Sequence, residues 1–143
     1  MRHMNNMFLA LLFTLCMTPA YSDSAYNMAV ASGKLIAATN LAESLKESEC
    51  GYAIKKTYST SDVIEEIKLV LRESDAESLD RYVSSNDFQE EMIESEEGLI
   101  NKPLAIMKRD GVDKKTACGM LVANMAILLD SSRVEWERSK NKY

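Results

Sequence analysis

Apolar residues recur at helical spacing through most of this chain after residue 22, and this pattern restricts the fold more than any other feature. Between Asp23 and about Lys46, for example, Val30, Ile36 and Leu41 are separated mostly by small or polar residues, as in an amphipathic helix. No run alternates apolar and polar residues as a strand does, and no internal repeat is evident. The sequence therefore predicts an all-α fold, a compact bundle of about five helices.

Capping signals divide the middle of the chain into short helices. Asp62, Ser74 and Asn86 each precede a helical stretch and are followed three residues later by a glutamate or glutamine. This arrangement is a capping box, in which both side chains satisfy exposed backbone N–H groups. The resulting helices are predicted over residues 62–73, 74–83 and 86–98.

The next segment, residues 98–112, is predicted to be a connection with one helical turn around residues 104–107. Pro103 disfavours helical geometry in the residue before it, and Asp110 followed by Gly111 is a turn signal. Asp113 then caps the longest helix, which is predicted to end near Arg138.

The longest helix is also predicted to be the central and most buried one. From Ala117 to Leu129 it has no charged side chain, as expected for a helix covered on most sides. The stretch is too short to cross a bilayer, for which about 20 residues are needed. It is therefore assigned to the core of the domain.

The first 22 residues have the three-part layout of a secretory signal peptide. Arg2 precedes an apolar run over residues 7–17, and Ala20 and Ser22 provide the small residues of a cleavage site. We expect cleavage after Ser22, which leaves a single domain over residues 23–143. The product is predicted to be periplasmic, with secretion from the cell as the alternative.

Two cysteines, Cys50 and Cys118, lie in this exported domain. An even pair in an oxidising compartment favours one disulfide over reactive thiols. With Cys50 near the end of the first helix and Cys118 near the start of the last, the bond would join the two ends of the domain. Two free cysteines or an intermolecular bridge are the alternatives.

The exported domain has no histidine, because the one histidine of the chain, His3, lies in the signal peptide. Histidine is the usual general base and the commonest metal ligand near neutral pH. Ser139 and Lys142 have the spacing of a catalytic serine–lysine pair, but they lie in a charged C-terminal tail. We therefore predict a protein that is not an enzyme and that holds no cofactor or metal.

The domain is acidic, which restricts its partners. Loss of Arg2 makes its formal charge one unit more negative than the −5 of the whole chain. Such a charge disfavours nucleic acids and anionic membrane surfaces, and no stable membrane insertion is expected. The sequence leaves a homodimer open.

The densest acidic stretch is the candidate partner-binding surface. It is interpreted as a solvated helix face, as a docking surface for a basic protein, or as a calcium site, although a calcium-binding loop would need a different spacing and a central glycine. On the docking hypothesis, the 98–112 connection inserts into the partner. The contact residues are Glu90, Glu91, Glu94, Glu96 and Glu97.

An exported, disulfide-closed helical domain without histidine is suited to binding a protein surface. In size and layout it is similar to the small helical immunity proteins that neutralise cell-wall-degrading toxins delivered by type VI secretion. This resemblance implies a non-catalytic inhibitor, although no residue role is carried over from that family. The acidic charge favours a basic toxin or hydrolase as the partner. A small periplasmic chaperone of the acid-stress kind and a small cell-wall enzyme using carboxylates alone are the alternatives.

Overall fold

The computed structural model describes residues 23–55 and 59–143, and the predicted signal peptide lies outside these ranges. The helices are α1 (Asp23–Glu47), α2 (Thr60–Lys68), α3 (Glu73–Val83), α4 (Asn86–Glu96), α5 (Lys102–Arg109) and α6 (Lys114–Lys140), with a 3₁₀ turn at Gly51–Ala53 and a π-helical turn at Glu97–Asn101. The described ranges contain no strand, so the predicted all-α fold is confirmed. Because the π turn joins α4 to α5 in one continuous rod, this part of the chain forms five helical rods.

Helix α1 forms the centre of the bundle. Its buried residues lie on several sides rather than along one stripe, which is the pattern of a helix surrounded by others. Small residues such as Ala31, Ala37 and Ala38 let neighbouring helices approach closely. Thr39 is also buried, and its hydroxyl donates to the Leu35 carbonyl oxygen at 2.8 Å, so this polar group is satisfied within the helix.

Two apolar clusters pack against the two halves of α1. The first cluster surrounds the N-terminal half with side chains from α2, α3, α4 and the C-terminal part of α6. The second cluster surrounds the C-terminal half with side chains from the π turn, α5 and the rest of α6. Large side chains that are fully buried include Met28, Leu35, Ile36, Leu41, Leu45, Ile67, Ile100 and Trp136.

Helix α6 is the longest, as predicted, but it is not the most buried helix. Its buried residues follow one stripe from Ala117 through Leu121 to Trp136. The other side carries exposed apolar residues, including Met120 and Ile127. The prediction was wrong because a stretch without charge can also cover an outer surface.

The starts of α2 and α4 are capped by serines that precede the predicted caps. The Ser59 hydroxyl oxygen accepts from the backbone N–H of Asp62 at 3.3 Å. The Ser85 hydroxyl oxygen accepts from the backbone N–H of Phe88 at 3.2 Å. Asp62 therefore lies in the first turn of α2, and Asn86 is already helical.

The remaining helix boundaries are predicted with mixed success. Helix α2 ends at Lys68, several residues before the predicted end, and α3 begins at Glu73 without a side-chain cap, so Ser74 does not cap it. Asp113 does cap α6, because its carboxylate accepts from the backbone N–H of Thr116 at 3.0 Å. The capping box is thus a reliable sign that a helix starts nearby, but it misplaces the start.

The predicted disulfide joins Cys50 and Cys118, whose Cα atoms lie 5.1 Å apart. Both side chains are fully buried in the second cluster. Cys50 follows α1, and Cys118 lies near the start of α6. The bond therefore ties the central helix to the last one.

Residues 98–112 are mostly helical, which overturns the predicted connection. The backbone keeps helical φ and ψ angles at Glu97 and Asn101, so α4 continues through the π turn into α5. Pro103 lies in the first turn of α5 and follows the wider π turn, where its missing N–H is tolerated. Gly111, at a φ of 79°, makes the turn before α6.

The π turn also changes which side chains of this rod face the core. Phe88 and Met92 are buried before it, Ile100 is buried within it, and Leu104 is buried after it. These positions are separated by multiples of four residues, which an uninterrupted helix of 3.6 residues per turn could not keep on one side. The wide turn supplies the extra residue and so holds the whole rod against α1.

Candidate functional site

Helix α4 holds the predicted contact residues, and its inner side determines how they are presented. Phe88 and Met92 fix the helix in the first cluster beside α1. The Phe88 ring also meets the Tyr82 ring of α3 edge-on, with the ring centroids 5.1 Å apart. Because these contacts fix the rotation of α4 about its axis, the residues on its opposite side face solvent.

The five predicted glutamates lie on this one rod but not on one face. Glu90, Glu94 and Glu97 follow each other at spacings of four and three residues and are exposed, and we call these three the acidic strip. Glu91 and Glu96 are half-buried. Within residues 23–55 and 59–143, no ion pair involves any of the five. The outer side of α4 is therefore a surface of negative charge without internal neutralisation.

An exposed isoleucine lies among these carboxylates. Ile93 is 67% exposed, and Glu90, Glu96 and Glu97 are its neighbours at helical spacings of three and four residues. The sequence pattern groups Ile93 with the buried residues Phe88 and Met92. It misses the exposure of Ile93 because the register of α4 is set by contacts with other helices. The four-residue spacing of Phe88 and Met92, which places both on one face of the helix, is the sequence signal that identifies the buried side of α4.

Glu91 lies at the border between α4 and α3, where two effects act on its carboxyl group. Burial, and then the nearby charge of Glu94, raise the pKa of Glu91 to about 7. Burial also raises the pKa of Tyr82, with the charge of Glu91 as the second cause. The Tyr82 hydroxyl is buried and has no hydrogen-bond partner in the described ranges. The interface between α3 and α4 is thus more favourable when Glu91 is protonated.

We expect the substitution Glu91→Gln to increase the melting temperature at pH 8 but not at pH 4. A carboxyl whose pKa is raised on folding binds protons more readily in the folded state, so stability falls as pH rises from about 4.5 to about 7. The neutral glutamine removes this loss. Thermal unfolding followed by circular dichroism at several pH values measures the difference. Glu90→Gln, on the exposed side of the same helix, is the control, and parallel pH profiles for wild type and Glu91→Gln would contradict the expectation.

The segment predicted to insert into a partner does not have the form of a free loop. Leu104 is buried in the second cluster. Lys108 donates to a carboxylate oxygen of Glu49, which ties α5 to the turn that follows α1. The exposed residues of α5 include Lys102 and Arg109, so the surface charge changes sign along the rod. The candidate site is therefore restricted to α4 and its acidic strip.

Ser139 and Lys142 line a cavity of about 430 Å³ where the start of α1 meets the end of α6. Asp23, Asn27 and Arg138 are among its other lining residues. Within the described ranges, no group of three or more histidine, cysteine or acidic side chains is arranged to hold a metal ion.

No protein family, curated protein or solved structure significantly matches this chain.

Proposed function

We propose that this chain is a non-catalytic exported protein that acts by binding another protein. Within that class we propose an inhibitor or immunity protein that neutralises a basic secreted toxin or cell-wall hydrolase in the periplasm. The observation that carries the proposal is the acidic strip on α4, which has no counter-ion among the described residues and adjoins the exposed Ile93.

The geometry of α4 supports binding to a cationic surface. Glu90, Glu94 and Glu97 repel each other in the free protein, and a basic partner would relieve this repulsion while it steers the two molecules together. Ile93 provides an apolar contact that the partner can bury at the centre of the charged region. Because Phe88 and Met92 fix the helix in the bundle, binding requires no ordering of its backbone.

The proposal predicts that charge reversal on the strip weakens partner capture. The sample is the oxidised domain that begins at Asp23, the expected product of signal-peptide cleavage. It is used to capture partners from the exported fraction of its source cells. We expect one stoichiometric basic partner whose hydrolytic activity the protein inhibits. The double variant Glu90→Lys/Glu94→Lys should weaken this binding at least about tenfold, because each change replaces attraction by repulsion. Binding should also weaken as salt is increased.

The control for this experiment is Glu47→Lys/Glu77→Lys, which changes the net charge equally at exposed positions on α1 and α3. It should bind within about twofold of wild type if the strip, and not the overall charge, is responsible. If the Glu90→Lys/Glu94→Lys variant captures the partner as well as the wild type does, the proposal is wrong. Retention of many unrelated proteins, above all in acid, would favour the chaperone class instead.

One observation favours a second candidate, the carboxylate-dependent cell-wall enzyme. A carboxyl group with a pKa of about 7, such as that of Glu91, is protonated often enough near neutral pH to act as a general acid. A peptidoglycan zymogram tests this candidate, with Glu91→Gln as the inactive control. Absence of lysis by the wild-type protein would exclude it.

A further inference from the structure

The outer side of α6 carries three exposed apolar residues at a regular interval. Met120, Ile127 and Val134 are separated by seven residues each, and their exposed fractions are 53%, 68% and 48%. None of them belongs to the two clusters around α1. They lie opposite the stripe of α6 that is buried against α1.

A second row with the same period lies beside them. Thr116, Ala123 and Asp130 are exposed and also seven residues apart, and they alternate with the apolar row at steps of four and three. We call these six residues the seam. A seven-residue repeat with two positions per repeat keeps one stripe in contact with another helix over several turns, as in a coiled coil. A lipid surface requires an apolar face but no such period. The spacing therefore points to a helix as the occupant.

We propose that the seam binds the seam of a second copy of this chain, with the two α6 helices antiparallel. A parallel pair would place Asp130 against the same carboxylate of the other copy, and like charges at a core position are unfavourable. In an antiparallel pair centred near Met125, the two Asp130 carboxylates are separated by about 15 Å along the axis, at 1.5 Å per residue.

Charge and size both fit the antiparallel arrangement. Each Asp130 then lies level with Met120 of the other α6 and about 7.5 Å along the axis from Lys115, which is exposed in the first turn of that helix, where the helix dipole is positive. At the centre, Ile127 of each copy faces the small Ala123 of the other, so a large side chain meets a small one. The arrangement is self-complementary, as a two-fold interface must be.

The size of the seam indicates how tight this pairing is. From Thr116 to Val134 it is about 27 Å long and about 10 Å wide, which is roughly 300 Å² of footprint on each copy. A standard stable interface buries about 800 Å² per partner, so the dimer is expected to be weak and concentration-dependent. The seam lies on α6 and the acidic strip on α4, so self-association goes beyond the proposed function and is tested separately from it.

Sedimentation equilibrium of the oxidised protein between about 1 μM and 1 mM tests the proposal. We expect a monomer–dimer equilibrium with a Kd of about 10–500 μM, as a small interface implies. Ile127→Glu should raise the Kd at least about tenfold, because it places a charge at the centre of the interface. The matched control is Ile93→Glu on α4, since the native side chain there is equally exposed. It should leave the Kd unchanged, and circular dichroism should show that both variants are folded.

The orientation is tested with Asp130→Asn, which keeps the size of the side chain and removes its charge. It weakens an antiparallel dimer by loss of the attraction to Lys115, but it strengthens a parallel one by removing repulsion. A protein that stays monomeric at 1 mM, an Ile127→Glu variant that dimerises like wild type, or a tightening by Asp130→Asn would each overturn the proposal. By length and composition α6 is apolar enough to cross a bilayer. The monomer is tested against phosphatidylglycerol vesicles for this reason. If the wild-type protein binds them and Ile127→Glu abolishes this binding, the seam is a lipid-binding surface and the dimer proposal is wrong.

Discussion

Replacement of Cys50 and Cys118 together by alanine is expected to lower the free energy of unfolding by about 4 kcal/mol. The disulfide joins positions that are 68 residues apart, so its loss frees a long loop in the unfolded chain. Domains of this size have total stabilities of about 5–15 kcal/mol, and the melting temperature should fall by roughly 15 °C. Urea unfolding followed by circular dichroism at 222 nm measures the change.

Reduction of the wild-type protein is the matched comparison for this variant. Both cysteines are fully buried, so alanine also removes packing atoms, whereas reduction opens the bond and leaves both sulfur atoms in place. Agreement of the two losses to within about 1 kcal/mol would assign the effect to the bond. Losses below about 1 kcal/mol in both cases would contradict the chain-entropy argument and would indicate an unfolded state that is already compact.

The long helices could be predicted from the sequence because their signals are local. The apolar period of α1 and the cap at Asp113 depend on residues a few positions apart, and the observed bounds Asp23–Glu47 and Lys114–Lys140 agree with the predicted ones to within about two residues. The pairing of the cysteines followed from their number. Starts of the short helices were less accurate, because Ser59 and Ser85, which precede the predicted caps, accept the hydrogen bonds from the first-turn N–H groups of α2 and α4.

The features that sequence reasoning missed depend on contacts between helices. Pro103 ends a helix in isolation, but the π turn before it lets the rod continue and keeps Ile100 and Leu104 in the core. The uncharged stretch of α6 has apolar residues on two sides, and its sequence cannot show which side α1 covers. The same holds for the candidate site: composition identified the glutamates, whereas the exposure of Ile93 required the register of α4.

Truncation of Trp136 to alanine is expected to cost about 3–5 kcal/mol of the free energy of unfolding. Although charged residues flank it in the sequence, its side chain is fully buried in the first cluster, where α6 meets α1. The Lys140 ammonium lies 4.7 Å from the ring centroid and the Arg133 guanidinium carbon 5.5 Å, so two cations pack on the indole. Alanine removes these contacts and leaves a cavity. Because Trp136 is the one tryptophan of the chain, unfolding is followed by circular dichroism.

The companion variant Trp136→Phe separates the packing of the ring from the hydrogen bonding of its N–H group. The indole Nε1 is buried and has no hydrogen-bond partner in the described ranges, and such an unsatisfied donor costs about 1–3 kcal/mol. Phenylalanine removes this donor while it keeps an aromatic ring, so we expect it to lose less than half of what alanine loses. Equal losses in the two variants would instead mean that the N–H is bonded in solution, to water or to another part of the chain, and that this bond stabilises the junction of α1 and α6.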